Sequence, residues 1–218
     1  MSFDTTAIKE NQEVCDQVRQ KLKKDGPWNR EPDRLEFKAY GLDCLLSRHP
    51  MGFHWCGYVG VPKDHPLHGV EYSQESEVLK GRLDKLLQTP ANEVPMTMAR
   101  SISALCGDLK ARPDTVLDVH GGITYSRACE GPICHDAPEK VWWFGFDCAH
   151  YGDYSPGFAQ SLAELTSNDW RNAEEYKDLR FVITETLKLP CVDCQRLGDD
   201  SCPACYAALY PRTPEAQP

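Results

Sequence analysis

The sequence predicts an α+β fold, with a mostly antiparallel sheet and flanking helices. Helical and strand-like patterns follow one another irregularly along the 218 residues, without the regular alternation of a parallel α/β protein. Strand-like runs joined by short turn-rich segments favour hairpin pairing. Hydrophobic residues make up 41% and charged residues 26% of the chain, which is ordinary globular composition and excludes a disordered or coiled-coil protein.

In the first half of the chain, apolar side chains at helical spacing predict an amphipathic helix over residues 7–24. Strand-like runs follow at residues 35–47 and 56–61, and the turn residues between them predict a hairpin. Residues 61–69 contain two prolines and a glycine, which predict a loop. A surface helix is predicted over residues 75–88.

In the second half, two short apolar runs predict buried strands at residues 115–119 and 141–146, each followed at once by polar, chemistry-bearing residues. Residues 176–189 have apolar side chains at helical spacing and predict a helix. We therefore expect a single α+β domain over residues 1–189, a cysteine-rich tail over residues 190–207 and a disordered end over residues 208–218.

The tail contains two C-x-x-C pairs separated by seven residues, formed by Cys191, Cys194, Cys202 and Cys205. Four thiolates in this pattern predict a structural zinc site, which is closed and leaves no coordination position for a substrate. The short spacing leaves two alternatives open, a redox-active tail and a tail without a role.

Charge and cysteine content restrict the class of protein. The 24 basic against 33 acidic residues give a net charge of −9, which argues against a protein that coats long nucleic acids. No apolar run is long enough to span a membrane, and the polar N-terminal residues do not resemble a secretory signal, so a cytoplasmic location is expected. In that compartment the 11 cysteines are expected to be buried or metal-bound. Cys15, Cys44 and Cys106 are predicted to be small core residues.

Paired glycines follow the first of the two buried strands, in the run His120-Gly121-Gly122-Ile123-Thr124-Tyr125. Glycines allow positive φ and a close backbone approach, and their N–H groups can form an anion-binding nest with the imidazole at its mouth. Gly121, Gly122, Thr124 and Tyr125 are therefore candidate ligand-binding residues. The alternative is a tight turn with a histidine that only bonds locally.

The second strand ends in Asp147-Cys148-Ala149-His150-Tyr151-Gly152-Asp153. Aspartate and histidine at this spacing can share a metal, or the aspartate can orient the imidazole as a general base. If the two strands are neighbours, His120 and His150 face one cleft with Asp147 between them. This predicts a second divalent metal at His120, Asp147 and His150. Within the turn, Asp153 is either a third ligand beside Asp147 and His150 or an orienting group. His120, Asp147, His150 and Asp153 are the candidate catalytic residues.

Further residues are candidates for ligand contacts or for chemistry. Trp143 and Tyr151 are predicted to offer a stacking surface for a base or ring. Cys148 beside His150 is a possible nucleophile. His65 and His68 lie in the proline-rich loop, where they can chelate or line a pocket rim. Cys129, Cys134 and His135 can form another small metal site or close over a ligand, and for all of these a purely structural role remains open.

The motifs described above resemble a group of small phage-encoded proteins of unassigned activity. The resemblance rests on His120-Gly-Gly-Ile-Thr-Tyr, Ile133-Cys134-His135 and Trp142-Trp143-Phe-Gly-Phe-Asp147-Cys148-Ala-His150, and extends over most of residues 35–189. The resemblance implies a phage origin and a location in the host cytoplasm. It implies little about mechanism, because the group has no assigned activity. Because small phage proteins often counter host immunity, some through cyclic-nucleotide signals, it also raises the expectation of a nucleotide-like ligand.

Three functions follow as hypotheses. The first is a hydrolase acting on a phosphoester or nucleotide-derived small molecule. The second is a sponge that sequesters such a signal unchanged, and the third is an inhibitor whose acidic surface docks on a basic host protein. Release of intact ligand after denaturation would distinguish a sponge from an enzyme. The oligomeric state cannot be predicted from these residues.

Overall fold

The computed structural model describes residues 6–90, 92–94, 96–128, 131–133, 141–165 and 174–189. The predicted zinc ligands of the tail, the predicted disordered end, and the loop residues Cys129, Cys134 and His135 lie outside these ranges, so the hypotheses that concern them stay predictions.

Six helices and five strands make up the regular structure of the described residues. The helices are α1 (Thr6–Lys21), α2 (Lys80–Gln88), α3 (Met98–Leu105), α4 (Pro113–Val116), α5 (Pro156–Leu165) and α6 (Leu179–Leu187). The strands are β1 (Arg34–Ala39), β2 (Leu42–Arg48), β3 (Trp55–Pro62), β4 (Tyr125–Ala128) and β5 (Val141–Asp147). None of the helices in the described ranges is long and apolar enough to cross a membrane.

The strands form one sheet in the order β1-β2-β3-β5-β4, and every neighbouring pair is antiparallel. The predicted α+β class with an antiparallel sheet and flanking helices is confirmed. Helix α6 packs across β3 and β2. Side chains alternate along β5, so that Phe144 and Phe146 join the main core under α6, whereas Trp143 packs with Leu45 on the opposite face.

Several predicted elements are found near their predicted bounds. Helix α1 buries Cys15, and a short 3₁₀ turn (Glu77–Leu79) leads into α2 within the predicted range 75–88. Helix α6 begins three residues later than predicted, because the Asp178 side chain caps it by accepting a hydrogen bond from the Phe181 N–H at 2.8 Å. Cys44 is buried as predicted.

The prediction of one strand over residues 35–47 is wrong, because this segment is itself a hairpin. Tyr40 and Gly41 both have positive φ, +54° and +77°, and form the two-residue turn between β1 and β2. Turns with two positive φ values match the twist of antiparallel strands, and glycine at the second position removes the steric cost there. The apolar run continues through the turn, which conceals it from a pattern search.

The prediction of a strand over residues 115–119 is also wrong. Residues 113–116 form the single helical turn α4, and all four of its residues are buried. Pro113 occupies the start of this turn, where its restricted φ suits a helix and its missing N–H carries no cost. Buried β-branched residues therefore do not identify a strand here, since this segment has no strand neighbour in the described sheet.

Helix α3, strand β4 and helix α5 were not predicted, and α3 shows why. Its polar residues Arg100 and Ser103 are buried, whereas its apolar side chains Met98, Ile102 and Leu105 are exposed. Arg100 faces inward because its guanidinium donates to the Thr115 carbonyl at 2.6 Å and the Leu117 carbonyl at 3.3 Å. Cys106, at the end of this helix, is exposed, so its prediction as a core residue is wrong.

Candidate metal centre

Two histidines and one aspartate meet just beyond the C-terminal end of β5. One potential ligand atom from each of His120, His150 and Asp153 lies within 4.8 Å of the others. His120 Nε2 is 2.7 Å from Asp153 Oδ2, and His150 Nδ1 is 3.5 Å from the same oxygen. The two imidazole rings stand nearly perpendicular, at 84°, with their centroids 5.3 Å apart. The predicted meeting of His120 and His150 is therefore found.

His120 is held from the helix side. Its backbone N–H donates to Glu185 Oε2 of α6 at 2.9 Å, and its ring packs edge-on against Phe181, with centroids 5.1 Å apart. Glu185 is in turn paired with Lys188 at 2.6 Å. One helix therefore sets both the backbone position and the ring orientation of His120.

His150 and Asp153 belong to one turn after β5. Asp153 N–H donates to the His150 carbonyl at 2.9 Å, and the His150 N–H donates to Asp153 Oδ2, also at 2.9 Å. Gly152 has a φ of +89°, which lets the chain reverse within this turn. The segment is then tied to Glu175 by backbone hydrogen bonds on both sides of Asp153.

The carboxylate at the centre of this group is ionised. Burial alone would raise the pKa of Asp153, but hydrogen bonds from His120 and His150 outweigh it and hold that pKa well below its usual range. Interaction with the same carboxylate raises the pKa of His150, although partial burial of the ring acts in the opposite direction. The Asp153 carboxylate therefore carries its full negative charge at neutral pH.

This donor set is suited to a divalent metal. Two imidazole nitrogens and one carboxylate oxygen are the ligands of open zinc sites and of ferrous sites, in which the remaining positions take water or substrate. The His120 and His150 side chains are 21% and 26% exposed, so the group faces solvent on one side. His150 Nδ1 is buried without a hydrogen bond among the described residues, its Asp153 Oδ2 neighbour being 3.5 Å away, and in the neutral imidazole this nitrogen could bond to a metal ion. The group can hold a metal ion.

Asp147 does not lie between the two histidines as predicted. Its carboxylate accepts from Thr124 Oγ1 at 3.1 Å and from the Ala149 N–H at 3.0 Å, and it is not one of the three clustered ligands. Asp153 takes that place, because the turn after β5 directs its side chain back towards His120. Thr124 is therefore placed as a partner of Asp147.

The predicted aromatic surface is not formed around the histidines. Trp143 is fully buried on the face of the sheet opposite α6, and the Tyr125 ring packs edge-on against Tyr58 on that same face. Tyr151 is fully exposed. Trp143 is therefore not available as a stacking surface at this site.

The two glycines have the positive φ values that were predicted, but the Gly122 N–H is not available for an anion-binding nest. Gly121 and Gly122 have φ values of +70° and +93°. The Gly122 N–H donates to the Val119 carbonyl at 2.9 Å, so it is committed to the turn. Gly121 has a different role, because a Cβ there would overlap the imidazole of His150. A glycine is needed at position 121 for His150 to reach the site.

His65 and His68 lie far from the site. The His68 ring is 6.2 Å from that of Trp142, and His65 Nδ1 accepts from the Leu67 N–H at 3.1 Å. Trp142 and Asp147 are at opposite ends of β5, roughly 17 Å apart for an extended strand of this length. These histidines do not contribute to the group at His120.

Cys148 is an unsuitable nucleophile. Its side chain belongs to the main hydrophobic core and is almost completely buried. Burial raises the pKa of this thiol strongly, and the nearby Cys56, Asp153 and Asp147 raise it further. The reactive thiolate is therefore not populated at neutral pH.

Sequence reasoning missed three residues in or just before α6 that lie against this group. Phe181 and Glu185 contact His120 directly, and Lys177 Nζ lies 4.0 Å from Asp153 Oδ1. The helical pattern of residues 176–189 predicted the helix but contains no signal for which of its faces meets the histidines.

Gly121→Ala is expected to weaken metal binding and to destabilise the fold. The positive φ costs an alanine about 1–2 kcal/mol, and the added Cβ displaces the His150 ring. Gly69→Ala is the matched control, since Gly69 has a φ of +80° and nothing within 4 Å of the added Cβ. Both variants carry the cost of positive φ, and Gly121→Ala is expected to lose more stability in urea unfolding because it also displaces the His150 ring. Only Gly121→Ala should lose metal affinity in calorimetry, and equal affinity in the two would contradict the role assigned to Gly121.

Comparison of the chain with protein families, with curated proteins and with solved structures gives no match. The resemblance to small phage-encoded proteins stays a prediction, and the function must be inferred from the site itself.

Proposed function

We propose that this protein is a metal-dependent hydrolase that acts on a phosphoester or nucleotide-derived small molecule. His120, His150 and Asp153 would hold the metal, which is zinc in the simplest case. The observation that carries the proposal is the convergence of three ligand atoms within 4.8 Å at a partly exposed position. A site with three protein ligands keeps a coordination position for water, whereas a structural zinc site is closed.

The hydrolytic step follows from the properties of such a metal. His120, His150 and Asp153 would hold the ion, which when bound would supply Lewis acidity and a water molecule of lowered pKa as nucleophile. Hydrolysis of a phosphoester by such a water would form one phosphorus–oxygen bond and break the bond to the leaving alcohol, which would take up a proton from solvent. Metal binding would replace the present hydrogen bond between His120 Nε2 and Asp153 Oδ2, so it should release a proton when that nitrogen carries one.

A second candidate is a metal-free general base. The distance of 2.7 Å between His120 Nε2 and Asp153 Oδ2 is that of an aspartate that orients a catalytic histidine. In this case hydrolysis would persist in the presence of a chelator.

The sponge and the host-protein inhibitor stay predictions, and the burial of Trp143 removes one of the stacking walls that the sponge hypothesis requires.

The proposal is tested by measuring the metal content of the full chain and of His120→Ala by plasma mass spectrometry. We expect His120→Ala to lose one equivalent of metal. The metal affinity of this site should fall at least about a hundredfold, because removing a ligand should cost no less than the largest loss seen for a group that only supports a ligand. Any metal bound by the tail cysteines would be present in both proteins, so it would not affect the difference between their metal contents.

His68→Ala is the matched control, because it removes a partly buried histidine at the opposite end of β5. It should keep the metal content of the unmodified protein. The same metal content in His120→Ala and His68→Ala would refute the metal site, and chelator-resistant hydrolysis in the unmodified protein would favour the general-base candidate. Iron in place of zinc would redirect the proposal towards oxygen chemistry.

A further inference from the structure

Lys177 places a positive charge at the edge of the metal group. Its Nζ lies 4.0 Å from Asp153 Oδ1 and 5.2 Å from the centre of the Phe181 ring. The side chain is only 15% exposed, so its position is set by packing. Phe181 also packs against His120, and one aromatic ring therefore positions both the lysine and a proposed metal ligand.

The two oxygens of Asp153 have different partners. Oδ2 is the atom that His120 Nε2 and the His150 N–H approach, whereas Oδ1 is the atom nearest to Lys177. If Oδ2 binds the metal, the ammonium group would lie beside the other oxygen of the carboxylate and would not compete for the ligand atom. An anion bound to the metal would have this charge within reach.

The other partner of Lys177 is exposed. Its Nζ donates to Glu175 Oε2 at 2.5 Å, but the Glu175 side chain is 78% exposed. Water screens a carboxylate in this position and competes for it, so only the lysine side of this ion pair is fixed by packing. Lys188, the other lysine near His120, is already paired with the buried Glu185. Lys177 is thus the better placed of the two to exchange its partner for a substrate oxyanion.

We propose that Lys177 determines substrate class, by binding a non-bridging oxygen of a phosphoryl group whose other oxygen binds the metal. This inference rests on the proposed metal site. A lysine ammonium is a compact point charge that suits phosphate, and it would favour an anionic phosphoester over a neutral ester of the same size. The site then takes phosphate monoesters or other small phosphoryl anions.

The test is calorimetric titration of inorganic phosphate into zinc-loaded full-length protein from which unbound zinc has been removed. Lys177→Met is expected to weaken phosphate binding about tenfold or more, the loss expected for one charge-assisted hydrogen bond. Its zinc affinity should be unchanged or higher, because a positive charge beside the metal has been removed. Lys177→Arg should retain phosphate binding, and Glu175→Gln should strengthen it by freeing the ammonium group.

Lys110→Met is the matched control, since Lys110 pairs with Asp108 in an exposed ion pair of another region. Failure of the unmodified protein to bind zinc outside the tail would refute the proposed function. Normal zinc binding with equal phosphate affinity in Lys177→Met would overturn the role of Lys177 and leave the metal site standing. Loss of zinc affinity in Lys177→Met would also overturn it, because the lysine would then be a structural partner of Asp153.

Discussion

Asp153→Asn is expected to abolish metal binding at this site and to reduce hydrolysis at least about a hundredfold, because it removes the only charged ligand of the group. The Asp153 carboxylate is at the centre of the site. His120 Nε2 and the His150 N–H contact its Oδ2, and Lys177 Nζ lies 4.0 Å from its Oδ1. Its low pKa keeps it ionised at neutral pH, so the substitution removes a full negative charge. An asparagine oxygen can still accept the His150 N–H, so the turn should survive.

The matched control for this prediction is Asp147→Asn, which neutralises a neighbouring carboxylate that binds Thr124 and not the histidines. Metal affinity in this variant should stay within a few-fold of the unmodified protein. Calorimetric metal titration and turnover of a phosphoester substrate measure both effects. If Asp147→Asn lost the metal and Asp153→Asn kept it, the original expectation of Asp147 as the ligand would be restored.

The second large effect concerns stability and is expected for Arg48→Met. The Arg48 side chain is completely buried and donates to Asp33 Oδ1 at 2.8 Å and to Glu31 Oε2 at 3.1 Å. It also lies over the rings of Phe53 and Trp55. Without Arg48 the Glu31 carboxylate loses its cation, whereas Asp33 keeps Arg19. Removing one member of a buried ion network in this way costs about 3–5 kcal/mol of unfolding free energy.

The reason for this large cost is that Glu31 connects distant elements through the same network. Its Oε2 accepts from Trp55 at 3.0 Å and from Tyr176 at 2.6 Å, and its Oε1 accepts from the Leu179 N–H at the start of α6 at 2.9 Å. Although burial raises the pKa of Glu31, these hydrogen bonds lower it by more, so the carboxylate is ionised and depends on Arg48 for compensation. Weakening the network should also loosen α6, which carries the partners of His120.

Urea unfolding monitored by tryptophan fluorescence measures this prediction. Arg30→Met is the matched control, because Arg30 forms an exposed ion pair with Asp25 at 3.9 Å. We expect no measurable change for this variant. A loss of stability for Arg48→Met no greater than that for Arg30→Met would show that the buried network does not stabilise the fold.

Local pattern was sufficient where apolar residues recur at helical spacing or form one continuous buried run. Helix α1 and strand β5 were predicted on that basis, and so was the helix that became α6. The same pattern failed at α3, where a buried arginine satisfies the carbonyls of another segment and the apolar side chains face outwards. It also failed at α4, where burial without a strand partner looks identical to a buried strand. Apolar periodicity indicates an element only when its apolar side chains are the buried ones and its neighbour is of the expected type, and neither condition holds for both of these segments.

The candidate site was predictable in part for a related reason. His150 and Asp153 are three residues apart, so their proximity follows from one turn, and the glycines at 121 and 122 indicated a close backbone approach. The choice between Asp147 and Asp153 was not accessible, because it depends on the direction of each side chain after the strand ends. The aromatic wall failed for the same reason, since alternation along β5 sends Trp143 to the opposite face.

The sequence by itself therefore determined the fold class, the antiparallel sheet and the set of residues from which a metal group could be drawn. These depend on composition, on apolar periodicity and on neighbours close in the chain. Only the tertiary structure decided that Asp153 receives His120 from 33 positions away, that Glu185 holds the backbone of His120 from 65 positions away, and that Lys177 stands beside them. Such contacts depend on how α6 packs across the sheet, and packing between distant elements leaves no periodic trace in either segment.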